Sequence, residues 1–166
     1  MTADERRKAD CEVIAQYAGT TPDAFANPKR GAELATSQYE QGVNVIYHAS
    51  GSTGLGVFEA ARKLNQRAGA PRKLAIGVDS DQYDSAPGIV LSSMVKRVDN
   101  AAYDSILRVR DHKFVGGLLQ FGLAEEGVGY VYDDHNKALI PDAVRAKLEA
   151  LKQDIIAGKI PVPSER

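Results

Sequence analysis

Tryptophan is absent from this chain, and cysteine occurs once, at Cys11. One cysteine excludes an intrachain disulfide and any cysteine-cluster metal site. At the head of an apolar run it reads as a small hydrophobe rather than a reactive thiol. Long apolar runs are missing too. None of the 166 residues sits in a stretch approaching the roughly 20 needed to cross a bilayer. The opening MTADERRKADC has no apolar core, so it reads neither as a signal peptide nor as an anchor. Excess charge is lacking as well: the formal net charge is −1, which leaves no global footprint for nucleic acid or an anionic membrane. There is no internal repeat and no low-complexity tract. Taken literally, such a chain belongs in the cytoplasm.

What is present suits a folded domain with its own core, with 43% hydrophobic and 26% charged residues. CEVIAQYAG (11–19) reads as a buried strand and TTPDAFANPKRG as a loop. Asn27 before Pro28 is a good helix start. That helix should stop at Gly42, with Leu34, Ala35, Gln38 and Tyr39 on one side. A second strand is expected over 43–49. Val57, Ala60, Ala61 and Leu64 make the stripe of the helix after it. Strands over 73–78 and 88–95 follow, the latter leading into a helix from Lys96 or Val98 to Val109. Strands alternating with helices indicate βαβ units, so the expected fold is α/β, a parallel sheet with flanking helices. After residue 112 the pattern changes to glycine-rich segments that read as paired strands or irregular chain. A last helix carries Val144, Leu148, Leu151 and Ile155 as its stripe, with Gly158 as its C-cap.

The segment HASGSTGLGVFEAARK (48–63) links a strand to a helix through Gly51, Gly54 and Gly56. Gly51 to Gly56 has the spacing of a P-loop, but Val57 and Phe58 stand where that motif needs lysine and a hydroxyl. Gly54-Leu55-Gly56 opens like a dinucleotide turn, and Asp79 closes the next strand at a fitting distance. Glu59, however, stands where the third glycine belongs, in a position that wants no side chain. One glycine suffices for a plain connector. Three, with Ser50, Ser52 and Thr53, favour a loop that touches a ligand. Ligands of open parallel sheets bind beyond the carboxyl ends of the strands, so SGSTG and DSDQ should line one edge.

Around that edge, Asp79 and Asp81 have three open readings: chelating a metal, capping a turn, or accepting hydrogen bonds from ligand hydroxyls. No histidine or cysteine lies close enough in sequence to suggest a transition metal. Lys96 ends an apolar strand and reads either as a ligand donor or as a solvated charge. His48 reads as a hydrogen-bonded strand histidine rather than a catalytic one. Phe25 and Tyr47 are aromatics able to stack on a flat ligand or to join the core. No serine, histidine and acid arrangement suggests a nucleophile.

Taken together, GVNVIYHASGSTGLGVFEAA, AIGVDSDQ and PGIVLSSMVKRVDNAAYDSI resemble the basic membrane protein (BMP) family, the PnrA-like substrate-binding lipoproteins of ABC transporters. The likeness runs over about residues 11–162. It implies a two-lobed clamp of the type I periplasmic-binding-protein fold, of which this chain has one lobe over 1–110. A C-terminal segment over 111–166 would return to the other lobe. It implies a purine nucleoside as ligand, no cofactor, no nucleic acid and an ABC permease as partner. By the same resemblance Ser50, Gly51, Thr53 and Gly54 contact the ligand, Asp79 accepts from ribose hydroxyls, Lys96 donates, and Phe25 is a candidate for stacking. Family members are lipid-anchored outside the plasma membrane and about twice this long. The resemblance therefore implies a truncated form, with self-association or another chain supplying the missing lobe.

Overall fold

The computed structural model describes residues 12–69 and 71–163, so Cys11 and the charged residues before it lie outside the described residues. The first regular element is helix α1, Pro28–Glu40. Asn27 caps it by accepting a hydrogen bond from the Arg30 amide at 3.0 Å, and Pro28 occupies the first helical position, where its missing N–H costs nothing. Strand β1, Val45–Tyr47, leads through a single turn of 3₁₀ helix at Gly51–Thr53 into α2, Gly54–Asn65. Strands β2, Leu74–Gly77, and β3, Val90–Lys96, follow, then helix α3, Val98–Arg110. A short β4, Val128–Tyr130, and helix α4, Asp142–Ile156, complete the chain.

The sheet order is β1-β2-β3-β4. The first three strands are parallel, pairing Ile46 with Ala75 and Ile76 with Ser92, as the alternation of strands and helices anticipates. β4 adds antiparallel to β3, Met94 opposite Tyr130. Of the strand expected over 11–19, none forms among the described residues 12–19. Residues 12–17 carry no regular structure and join no ladder, because a strand exists only where a neighbour accepts its backbone bonds.

The core lies where α1 and α2 meet each other and the sheet: Ala35, Tyr39, Val57, Phe58, Ala60, Ala61 and Leu64 pack with Ala75, Ala86, Ile89 and Val90. The Tyr39 hydroxyl donates to the Leu74 carbonyl at 2.8 Å, tying α1 to β2. At the same end the buried Lys73 ammonium donates to the Val43 carbonyl at 2.8 Å. α3 and α4 bury no residue, and Val98, Tyr103, Ile106 and Val109 of α3 stand in solvent.

Two glycines set how closely α1 and α2 approach. A Cβ on Gly56 would lie 1.9 Å from the Pro28 carbonyl oxygen and 2.5 Å from the Ala32 nitrogen. One on Gly31 would lie 2.1 Å from the Thr53 carbonyl oxygen. The obstacles are backbone atoms, which cannot swing aside, so the helices touch only because both positions lack a side chain. Gly56→Ala is therefore expected to destabilise the chain by about 3 kcal/mol or to prevent folding. Gly116→Ala, where a Cβ would meet nothing within 4 Å, should be near neutral. Urea unfolding of the two variants checks this, and equal midpoints would be the contrary result.

Candidate ligand-binding site

The carboxyl ends of β1, β2 and β3 deliver three chain segments to one edge of the sheet. After β1 the backbone enters the Ser50–Gly54 loop. Gly51 has φ +55°, a left-handed value that glycine adopts freely, and a Cβ there would come within 3.0 Å of the Phe25 carbonyl oxygen. The Gly51 and Ser52 amides have no internal partner among the described residues, so they are available as donors. Ser52 Oγ donates to the Phe25 carbonyl at 2.9 Å. These contacts stitch the loop to the preceding Pro22–Phe25 turn and set Phe25, 59% exposed, beside Gly51.

Thr53 and Gly54, expected to face a ligand, are committed inward. Thr53 Oγ1 donates to the Ala24 carbonyl at 2.7 Å and accepts from the Asn27 amide at 2.8 Å, and the residue is buried. Its hydroxyl is used in both directions by the scaffold. Gly54 leaves room for the His48 imidazole, which a Cβ would meet at 2.0 Å. Gly56 serves the helix contact described above. Two of the three glycines that suggested a ligand loop thus have packing reasons. Glu59 is not in a tight helix–strand contact either. It is half-exposed and pairs with Lys63 at 2.6 Å, one helical turn on.

After β2, Asp79 adopts φ +71°, an uncommon conformation for a residue with a Cβ. Around it, Gln82 Oε1 accepts from the Val78 amide at 2.9 Å, and the Gln82 amide donates to Ser93 Oγ at 3.0 Å. Asp81 caps the next turn, accepting from the Tyr83 amide at 3.1 Å and from Ser93 Oγ at 3.3 Å. Both bonds use Asp81 Oδ1, which gives this residue the turn-capping role among its readings. The Lys96 amide donates to the Asp79 carbonyl at 2.9 Å, and its ammonium sits 2.6 Å from Asp79 Oδ1. Both side chains are more than half exposed, so the pair contributes little to stability, roughly 0–1 kcal/mol. A carboxylate acceptor and an ammonium donor thus stand together, with their charges balanced. Among the described residues no cluster of histidine, cysteine and carboxylates can hold a metal ion.

Between the two loops lies His48, which reading the sequence undervalued. It is 4% exposed, and neither ring nitrogen has a hydrogen-bond partner among the described residues. The ring stands edge-on to Phe58 at 5.0 Å between centroids. Burial pushes its pKa below the ordinary imidazole value, opposed in part by Gln82 and by the charge of Asp79. No sequence signal marked it: its packing on Gly54, six residues on, is visible only in the structure.

A family model described as ABC transporter substrate-binding protein, PnrA-like, matches residues 7–166. The chain belongs to this Bmp family. Among its relatives, a CD4+ T-cell-stimulating antigen of Listeria monocytogenes is 36% identical over 94% of this chain and 44% of its own length. The ABC transporter nucleoside-binding protein BmpA of Lactococcus lactis is 38% identical over 95% of this chain and 46% of its own. An ABC transporter solute-binding protein of Aeropyrum pernix has a matching fold, with TM-score 0.78 and 25% identity over 98% of this chain and 50% of that one. This Bmp chain therefore spans less than half the length of the curated relatives it matches. Its fold is a lobe of the type I periplasmic-binding-protein kind. No helix among its described residues is long and apolar enough to cross a membrane.

The state of His48 gives a pH dependence. Its folded pKa lies below the unfolded value of about 6.5. The neutral ring therefore favours the fold above that pH, and the contribution is lost as pH falls below it. Urea unfolding of the wild type should weaken between neutral and mildly acidic pH more steeply than that of His48→Gln. Parallel pH profiles for the two proteins would show the ring to be indifferent.

Proposed function

We propose that this chain is the ligand-binding lobe of the substrate-binding component of an ABC importer, and that its ligand is a purine nucleoside. The observation that carries this reading is the Asp79–Lys96 pair held at the strand ends. A carboxylate with free acceptor sites suits the two adjacent hydroxyls of a ribose, and the neighbouring ammonium can donate to a ring nitrogen or carbonyl. Because the pair is neutral overall, it favours an uncharged ligand. A phosphate placed there would meet the Asp79 carboxylate. The free amides of Gly51 and Ser52, with the half-buried Ser50, supply donors on the β1 side. Phe25 offers an exposed ring to a flat base. The Lactococcus lactis relative, named as a nucleoside-binding protein, supports the same choice.

The lobe performs no chemistry on this reading: it holds the nucleoside and presents it to a permease on the outer side of the plasma membrane. We assign the lobe to residues 1–110, and to 111–166 the role of turning back toward a second lobe. The exposed Phe114, Val115, Leu118 and Leu119 and the unburied faces of α3 and α4 support that division. A clamp strengthens each hydrogen bond by excluding water on closure, so one lobe alone should bind weakly.

Isothermal titration with adenosine, guanosine and inosine tests the reading. At least one is expected to bind saturably, and Asp79→Ala should weaken it about 10- to 100-fold, the loss expected when a charged hydrogen-bond partner is removed. No heat with any of the three, together with saturable binding of NAD, would overturn it. An unchanged affinity in Asp79→Ala would remove that residue from the site.

A further inference from the structure

Buried polar groups are almost always paired, because an unpaired one forfeits its bonds to water. The His48 ring breaks that rule twice, since both nitrogens are buried and neither has a partner among the described residues. Two contacts hold the ring where it is. A Cβ on Gly54 would lie 2.0 Å from Nδ1 and Cε1, so the imidazole rests directly on the start of α2. Phe58, one turn further along α2, meets it edge-on. Neither of these α2 neighbours titrates. β2 offers the Ile76 carbonyl, which accepts from the His48 backbone amide and not from the ring. The loop after β2 brings two groups that favour a charged ring, the Gln82 side chain and the Asp79 carboxylate. Both are engaged elsewhere. Gln82 Oε1 accepts from the Val78 amide at 2.9 Å, and Asp79 Oδ1 holds the Lys96 ammonium, at the end of β3, at 2.6 Å. Asp81, on the same loop, is turned to the Tyr83 amide and Ser93.

We propose that His48 makes ligand binding at this edge proton-linked, with the neutral ring as the binding form and the protonated ring as the releasing form. The inference rests on the reading of the Asp79–Lys96 edge as the ligand site. A protonated imidazole carries a charge and two N–H donors, and a buried charge demands partners. The acceptors nearest to it are the two already in use. Taking Gln82 Oε1 releases the Val78 amide, the residue before Asp79. Taking the Asp79 carboxylate displaces Lys96. Either change disturbs a residue whose left-handed backbone, φ +71°, depends on the bonds of its loop. Ligand pushes the other way. Its hydroxyls occupy the acceptor sites of Asp79, and its bulk removes water from the edge. Both effects disfavour a charge on the ring. Burial already holds the ring neutral at neutral pH, so affinity is full there and falls as the pH drops through the folded value. His48 acts as a positioning residue: it touches the loops that grip the ligand rather than the ligand itself.

Isothermal titration with adenosine, guanosine and inosine between about pH 8 and about pH 5, the range over which imidazole titrates, tests the proposal. The wild type is expected to lose at least about fivefold in affinity toward the acid end, while the profile of His48→Gln stays flat. Nuclear magnetic resonance of the ligand-free wild type gives a second readout that needs neither a ligand nor a variant. As the His48 ring titrates, the Val78 and Lys96 amide signals should shift with the same midpoint. Added nucleoside should lower that midpoint by the matching factor, because the coupling is reciprocal. Amides that ignore the ring would overturn the proposal, as would a ring that stays neutral over the whole range in the folded chain. So would a His48→Gln profile as steep as that of the wild type. Failure of all three nucleosides to bind would sink the nucleoside reading instead, and the two amides would still decide whether His48 governs the Asp79 loop.

Discussion

The contact between α1 and α2 holds the rest of the lobe in place. Where Gly31 and Gly56 let two backbones touch, the start of α2 is pressed against the start of α1. Every loop that reaches the ligand edge from this side is referenced to that contact. The Pro22–Phe25 turn leads into α1, and the Ser50–Thr53 turn leads into α2, so fixing the two helix starts fixes the two turns relative to each other. Thr53 then spends its hydroxyl locking them together. A close approach of this kind has no intermediate state. An added methyl group meets a carbonyl oxygen rather than a movable side chain, and the whole helix would have to withdraw.

The strand ends on the far side obey a separate constraint. Asp79 is bent into a left-handed conformation by a loop whose polar groups are consumed internally by Gln82, Asp81 and Ser93. Its carbonyl holds the Lys96 amide while its carboxylate holds the Lys96 ammonium. The loop is held by part-buried bonds to the Gln82 and Ser93 side chains, and its Asp79–Lys96 side-chain pair stays in solvent, where it can exchange one partner for another. The buried imidazole of His48 is the material link between the two constraints, packed on Gly54 of one and within the electrostatic reach of Asp79 in the other.

Much of this was legible from the sequence, for reasons that can be named. The cap at Asn27 and proline at 28 act locally, so α1 began where the sequence placed it. The apolar stripe of α2 was visible because helical spacing is a local property. The rule that parallel sheets bind at their carboxyl ends brought Asp79 and Lys96 to one edge, and the structure joins them in an ion pair. The rest was hidden because it depends on partners distant in the chain. EVIAQYA has the residues of a strand, but strand formation needs a neighbour, and none is at hand within the described residues. The glycines of the loop looked like donors to a ligand, whereas Gly54 and Gly56 are explained by a histidine six residues before the one and a helix start 28 residues before the other. Thr53 looked equally available, but its acceptor, the Ala24 carbonyl, lies in a turn that only the fold brings near.

The stitched turn has a consequence for how selectivity in this lobe can diverge. Phe25 and the Ser50–Gly51 backbone travel together, tied by Ser52 and Thr53. Asp79 and Lys96 travel together through their own backbone and side-chain bonds. The two groups share no direct hydrogen bond among the described residues. A substitution in the Phe25 half can therefore be made without disturbing the bonds that hold the Asp79–Lys96 half. The edge is built as two separable units, with the buried His48 between them.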